Sequence, residues 1–301
     1  MPAIELQGVT KTFGATVAVN GLDLTVPEGS IYGFIGPNGS GKTTTLRLII
    51  RIFQPDAGRV VVLGADHRSA ADDRLGYLPE ERGLYKRMKV LDLIDYFARL
   101  KNCRDGRTAG LHWLERLGGG NWRDKRLDSL SKGMAQKVQF IVAVIARPTL
   151  VILDEPFSGL DPVNLELLQD AVLALRREGA TVVLSTHDMG VAERLCDTIF
   201  MIHQGRKVLD GTLADIQRRY PLSCLRVRLG DDAPLLETLP GVSTIVREGP
   251  FHLLTLANGS PSQSVLHRLA ASHAVEHFEV MRPMLHDIFV GIARPQGETS
   301  T

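Results

Sequence analysis

One stretch of the chain has the residue types and spacing of a phosphate-binding loop. The pattern G-x-x-x-x-G-K-[ST] is filled at every position by Gly36, Pro37, Asn38, Gly39, Ser40, Gly41, Lys42 and Thr43. Its glycines allow backbone N–H groups to point at a phosphate, and the start of a following helix adds partial positive charge. Lys42 would then reach the β- and γ-phosphates, and the Thr43 hydroxyl would bind Mg²⁺. Thr44 completes the predicted nucleotide-binding set.

The loop has the neighbours that this chemistry requires. A short apolar run, 30–35, precedes it and indicates a strand, and a helical pattern begins at Thr44. The alternative, a Gly-rich turn that binds nothing, is disfavoured because strand and helix are both present.

Two acids and a histidine form a second candidate group. The apolar run 150–153 ends in Asp154 and Glu155, and a buried parallel strand delivers its last residue to the ligand-binding edge of a sheet. Asp154 could hold Mg²⁺ there, and Glu155 could polarise an attacking water. His187 follows the next strand. Alone, an acidic pair merely capping a strand is equally plausible, and a lone histidine is more often structural; the phosphate loop favours the catalytic interpretation for both.

A third group lies before a helical pattern with apolar residues at 138, 141, 142 and 145. Ser131 could cap this helix, and Gly133 lies in its first turn. The alternative is an ordinary helix cap, which the other motifs of the chain disfavour.

Composition limits the function classes. The chain has 301 residues, a formal charge of +1 and three widely spaced cysteines. We therefore expect two domains, no nucleic-acid partner, no disulfide framework and a cytoplasmic location. The amino terminus lacks the pattern of a signal peptide, and no apolar run approaches the ~20 residues of a membrane helix. Any membrane role would therefore depend on a partner.

The order of elements predicts an α/β fold. Alternating strands and helices with continuous apolar strands indicate a mostly parallel sheet covered on both faces. A β-rich first segment and a helical insert at about 86–146 interrupt this order. The predicted nucleotide-binding domain covers 1–220, a small α+β domain covers 221–294, and 295–301 is expected to be disordered.

Taken together, these motifs resemble the ATP-binding subunit of ABC transporters over about residues 3–218. The resemblance implies a P-loop ABC ATPase domain with an antiparallel β subdomain, ATP and Mg²⁺ as cofactors, a head-to-tail dimer and a separate membrane permease. It implies that Phe13 stacks on adenine, that Ser131 and Gly133 of the signature contact the partner's ATP, and that Glu155 and His187 are catalytic. It also implies Asp154 as the Mg²⁺-associated acid.

Two positions depart from the family pattern. Glu80 stands where the family usually has glutamine; we assign it as a third Mg²⁺ ligand, the alternative being a solvated acid on the loop that docks the permease. In the signature, Lys132 replaces a glycine and Met134 replaces a glutamine, and the sequence leaves the direction of Lys132 open.

A narrower resemblance is to bacterial exporter subunits for sodium or drug efflux, based on residues 79–85 and the extra C-terminal domain. Two alternative functions fit the sequence less well. A soluble, non-transport ABC ATPase usually has two cassettes or a long coiled-coil insert, and this sequence shows neither. A P-loop kinase or nucleotide switch would not need Ser131 or the loop 158–161.

Overall fold

The computed structural model describes residues 2–66, 73–81, 83–220, 224–230, 239–257, 260–281 and 283–293. Arg82, the boundary residue Pro221 and the tail 295–301, on which the sequence made predictions, lie outside these ranges. The chain divides into two compact units, Met1–Leu213 and Ala214–Thr301.

The division between the units lies before the position that the sequence indicated. It falls at the start of helix α7 (Leu213–Arg219), whereas the composition and proline signal pointed to Tyr220-Pro221. The side-chain amide of Gln217 donates to the carbonyl of Pro283, 3.1 Å away, so α7 is tied to later residues of the second unit.

The first unit is built on a six-stranded sheet in the order β10-β9-β3-β8-β7-β6. All neighbours are parallel except β9 and β10. The strands are β3 (Ile31–Ile35), β6 (Leu75–Leu78), β7 (Leu150–Asp154), β8 (Thr181–Thr186), β9 (Thr198–His203) and β10 (Arg206–Gly211). Every residue of β3, β7 and β8 is buried, which explains their continuous apolar runs and confirms the predicted parallel sheet.

An antiparallel sheet and one helix cover the first face of the parallel sheet. The sheet contains β1 (Pro2–Phe13), β2 (Thr16–Pro27), β4 (Ala57–Val62) and β5 (Ala65–Asp66), and the helix is α1 (Lys42–Ile49). Their apolar residues share one core with Phe34, Ile152 and Phe200 of the parallel sheet. Strands β1 and β2 form a tight hairpin in which Phe13 pairs with Thr16.

Helices cover the second face. The predicted insert contains α2 (Val90–Leu100), α3 (Gly106–Arg116) and α4 (Lys132–Val144), and α5 (Pro162–Arg177) and α6 (Met189–Leu195) follow. Phe140 and Ile141 of α4 are fully buried in the core of this face. Helix α4 therefore joins the insert to the sheet that carries the strand-end acids.

The second unit contains an antiparallel sheet in the order β12-β13-β11-β14. Its strands are β11 (Cys224–Leu229), β12 (Val242–Glu248), β13 (Phe251–Leu256) and β14 (Val275–Met281), with helices α8 (Ser262–Ser272) and α9 (Leu285–Ala293). Leu225, Val227 and Leu254 form a core with Val265 and Leu269 of α8. The second unit therefore has the α+β composition that the sequence predicted for the small C-terminal domain.

Within the described ranges, we find no helix with the length and apolar character needed to cross a bilayer.

Candidate functional site

The phosphate-loop sequence forms a turn between β3 and α1. Gly36, Gly39 and Gly41 all have positive φ, of 155°, 76° and 108°. A Cβ at Gly36 would lie 2.3 Å from the carbonyl oxygen of Ile202, and one at Gly41 would lie 2.5 Å from that of Ala18. Glycine is therefore required at both positions for backbone conformation and for space.

Lys42 is held inside this loop. Only 6% of the residue is exposed, and its Nζ donates to the carbonyls of Gly36 at 2.7 Å and Pro37 at 3.1 Å. Burial lowers the pKa of Lys42, and the negative charges of Glu155, Asp154 and Glu80 act in the opposite direction. A positive charge enclosed by loop carbonyls and acids is ready to exchange its neutral acceptors for phosphate oxygens.

Strand β7 places the two predicted acids at its carboxyl end. Asp154 is fully buried, and neither of its carboxylate oxygens has a hydrogen-bond partner among the described residues. Burial raises the pKa of Asp154; the hydroxyls of Ser185 and Thr43 lie close enough to oppose that rise without bonding to it. A buried carboxyl without partners is costly, so this position favours a bound cation.

Glu155 follows in a left-handed backbone conformation, with φ of 50°. Its Oε1 lies 3.0 Å from Nδ1 of His187 and 4.0 Å from Nζ of Lys42. Burial raises the pKa of Glu155, and the hydrogen bond and charge of His187 partly offset this effect. A carboxylate with a raised pKa is a stronger base, which suits it to accept a proton.

Lys42 and Glu155 line one cleft of about 580 Å³. Its walls include Asn38, Gly39, Gly41, Lys42, Thr43 and Thr44, together with Glu80 and Glu155. Of the remaining predicted residues, Gly36, Pro37 and Ser40 form the loop behind the wall, Asp154 lies buried beneath it, and His187 contacts Glu155 without lining the cleft.

Five wall residues were missed by the sequence reasoning. They are Thr16, Val17 and Ala18 of β2, and Gln204 and Gly205 of the turn between β9 and β10. No motif marks them, although the exposed apolar side chain of Val17 and the turn pair Gln204-Gly205 could have drawn notice.

Phe13 does not itself line the cleft. Its ring packs edge-on against Phe53 at 5.2 Å, and Nζ of Lys11 lies 5.5 Å from its centre. Because Phe13 pairs with Thr16 across the hairpin, it lies beside the wall formed by Thr16, Val17 and Ala18.

The signature residues are absent from the walls of this cleft. Ser131 caps α4, and its Oγ accepts a hydrogen bond from the backbone N–H of Met134 at 3.3 Å. A Cβ at Gly133 would lie 3.3 Å from the Leu160 side chain, and one at Gly159 would lie 3.2 Å from Nζ of Lys132. The side chain of Lys132 therefore lies beside Gly159 of the loop 158–161.

The oxygen donors near the loop fit Mg²⁺. Thr43, Asp154 and Glu80 supply a hydroxyl and two carboxylates, and Mg²⁺ commonly combines such ligands with substrate phosphates. Among the described residues, no group of three or more His, Cys, Asp or Glu side chains is arranged to hold a metal by itself. Phosphate oxygens would thus have to complete the coordination.

Comparison with known proteins gave two family matches. Residues 19–158 match the model described as ABC transporter, and residues 211–293 match the C-terminal domain described as ATP-binding protein DrrA1-3-like.

Full-length relatives include the ABC transporter ATP-binding protein YhaQ of Bacillus subtilis, 40% identical over 95% of this chain and 97% of that protein. The daunorubicin/doxorubicin resistance ATP-binding protein DrrA of Streptomyces peucetius is 32% identical over 99% of this chain and 95% of that protein. The Nod factor export ATP-binding protein I of Ralstonia nicotianae is 31% identical over 96% of this chain and 93% of that protein.

Among solved structures, the ATP-binding subunit of an ABC transporter superimposes with a TM-score of 0.68 at 29% identity, covering 72% of this chain and 93% of that one. A dimeric ATP-binding cassette in a post-hydrolysis state, bound to ADP and Pi, has a TM-score of 0.64 at 24% identity, with coverage of 70% and 98%. At 24% identity, the comparison with the dimeric cassette shows a shared fold and nothing more.

Proposed function

Because this chain belongs to the ATP-binding proteins of ABC transporters, we propose that two copies bind ATP between them and drive a separate membrane permease. The chain is an ATP-binding and ATP-hydrolysing subunit of the exporter type. The observation that carries the proposal is the cleft in which the phosphate loop, Glu80 and Glu155 meet.

Mg²⁺ bound with ATP would neutralise phosphate charge and orient the γ-phosphate. Thr43, Asp154 and Glu80 are the residues proposed to hold it. The unpartnered, buried carboxylate of Asp154 supports this assignment, since a cation would repay its desolvation. Lys42 would contact the β- and γ-phosphates, and the adenine would lie at the mouth of the cleft between Phe13 and Val17.

Glu155 is proposed to accept the proton of the attacking water. Its contact with His187 at 3.0 Å fixes the carboxylate at the edge of the cleft, and its burial strengthens it as a base. His187 is 57% exposed in side-chain area, so it can also reach a γ-phosphate that approaches from the cleft.

The position of Ser131 supports the proposed dimer. This residue lies outside the cleft of its own chain, at the amino end of α4, where helix N–H groups favour phosphate. A second copy arranged head to tail would bring Ser131 and Gly133 to the nucleotide of the first. ATP would then hold the pair closed, and hydrolysis would release it.

The permease is proposed to dock beside α2. Tyr85 and Tyr96 are exposed and pack edge to face at 5.7 Å, with Phe97 next to both. A neighbouring cavity of about 390 Å³ is lined by Leu84, Lys86, Leu127, Asp128, Leu130, Ala135 and Gln139. Leu84 and Lys86 of this cavity flank Tyr85 in the chain, and exposed aromatic side chains suit contact with a short helix from a partner. The chain would thereby be held at the inner face of the cell membrane.

Two measurements test the proposal. ATP hydrolysis by the purified chain should require Mg²⁺ and should rise more steeply than linearly with protein concentration. A tagged chain should recover an integral membrane protein from detergent extracts, and a Tyr85→Ala/Tyr96→Ala variant should lose that protein while retaining ATP binding. Metal-independent hydrolysis would remove the Mg²⁺ assignment, and unchanged recovery by the double variant would remove the docking surface.

A further inference from the structure

Two glutamines of α4 are buried and direct their amides away from their own helix. Gln136 is 3% exposed and Gln139 is 4% exposed. The amide of Gln136 donates to the carbonyl of Pro156 at 3.2 Å, directly after Glu155. Gln139 is the more unusual, because a single amide nitrogen serves two carbonyls.

Those two carbonyls lie on either side of Glu80. Nε2 of Gln139 donates to the carbonyl of Pro79 at 2.9 Å and to that of Glu81 at 3.2 Å. Glu80 lines the cleft, and its charge acts on both Lys42 and Asp154. The segment 79–81 has no strand pairing of its own, so side chains from other elements must fix it.

The other contact of this segment is weaker. Arg47 of α1 lies 3.6 Å from Glu81, but the two side chains are 33% and 86% exposed. Exposed ion pairs are screened by water and contribute little, whereas the Gln139 amide is buried and is costly to leave without a partner. Gln139 is therefore the dominant constraint among the described contacts of 79–81.

We propose that Gln139 is a positioning residue that holds Glu80 in the nucleotide cleft. This inference rests on the function proposed above, in which Glu80 acts toward Mg²⁺ and ATP. Ser131 begins the same helix about 12 Å away, at 1.5 Å of rise per residue. The group that would contact the partner's nucleotide and the residue that orients Glu80 therefore lie on one rigid helix, and a shift of α4 on dimer closure moves Glu80 as well.

The competing role for Gln139 is purely structural, namely the satisfaction of its own buried amide by the carbonyls of Pro79 and Glu81. A structural role predicts a loss of stability that is independent of Glu80. A positioning role predicts local loosening of 79–81 and an effect on catalysis that requires the Glu80 carboxylate.

The first test uses Gln139→Met, which keeps the volume of the side chain and removes the donor. Gln136→Met is the matched control, since it lies on the same helix with the same burial and also donates to a carbonyl beside an acid. Hydrogen–deuterium exchange on the nucleotide-free chain should show faster exchange in peptides covering 79–81 for Gln139→Met only. Equal exchange of that segment in both variants and the parent would overturn the proposal.

The second test is a double-mutant cycle with Glu80→Ala. Gln139→Met alone should lower the ATPase rate about fivefold, which corresponds to about 1 kcal/mol for a lost hydrogen bond. In the Glu80→Ala background the same change should have little further effect, whereas Gln136→Met, which loses a bond to Pro156 and none to 79–81, should change the rate equally in both backgrounds. If Gln139→Met lowers the ATPase rate by the same factor with and without the Glu80 carboxylate, Gln139 has a purely structural role.

The outcomes also separate this inference from the proposed function. If the parent hydrolyses no ATP, the proposed function fails, while the exchange measurement still decides whether Gln139 holds 79–81. If the parent is active and Gln139→Met matches it in exchange and rate, only the inference fails. If Gln139→Met does not fold, Gln139→Asn takes its place, because asparagine keeps the amide but its side chain is one methylene shorter.

Discussion

Replacing Lys42 by alanine should weaken ATP binding about 30-fold. An ammonium about 4 Å from a phosphate charge contributes about 4 kcal/mol at an effective dielectric constant near 20. Against this, Lys42 must give up its bonds to the Gly36 and Pro37 carbonyls, at about 1 kcal/mol each. The net loss of about 2 kcal/mol corresponds to the stated change in Kd.

Calorimetric titration with ATP and with AMP provides the measurement. Because Lys42 is assigned to the β- and γ-phosphates, the variant should lose affinity for ATP and keep its affinity for AMP. Lys207→Ala is the matched control, since that lysine is exposed, lies 3.5 Å from Asp210 and does not line the cleft. Equal ATP affinity in Lys42→Ala and the parent would refute the assignment of the phosphate loop.

Three further predictions concern catalysis, stability and domain organisation. Glu155→Gln should slow hydrolysis by about 10²–10⁴ and leave an ATP-bound dimer detectable by size-exclusion chromatography; a parental rate would direct attention to His187 as the base. Asp161 caps α5, and the hydrogen bond that its carboxylate accepts from the backbone N–H of Asn164 lowers its pKa in the folded chain. The cap should therefore stabilise the protein at pH values above the pKa that Asp161 has in the unfolded chain. This stabilisation should be lost as the pH falls through the lower pKa of the folded chain. Urea unfolding should thus find Asp161→Ala less stable than the parent at pH 7 and equal at low pH, and a constant difference would contradict the capping role. A chain ending at Tyr220 should fold and bind ATP in calorimetric titration, and a folded truncation that binds no ATP would contradict this prediction.

The parallel sheet and the phosphate loop were predictable from sequence for local reasons. Strands such as β7 are buried on both faces and so consist of continuous apolar residues, and the loop needs glycine at fixed positions. Both signals lie within a few consecutive residues, where spacing alone can be interpreted.

The missed features depend on contacts between distant parts of the chain. Thr16–Ala18 and Gln204 reach the cleft only because the first hairpin and the β9–β10 turn fold toward the phosphate loop. Gln139 looks like a solvent-exposed helical residue in the sequence, yet the segment after β6 buries it almost completely. Polar side chains buried by tertiary structure leave no periodic signal.

The separation of Ser131 from the cleft of its own chain has a genetic consequence. A Lys42→Ala chain keeps an intact signature, and a Ser131→Arg chain keeps an intact phosphate loop. In the proposed head-to-tail dimer, each variant alone would have two defective sites, but in an equal mixture about half of the dimers would pair one of each and regain a single complete site. Two defective alleles expressed in one cell should therefore complement each other, which a chain with all its catalytic groups in one protomer could never do.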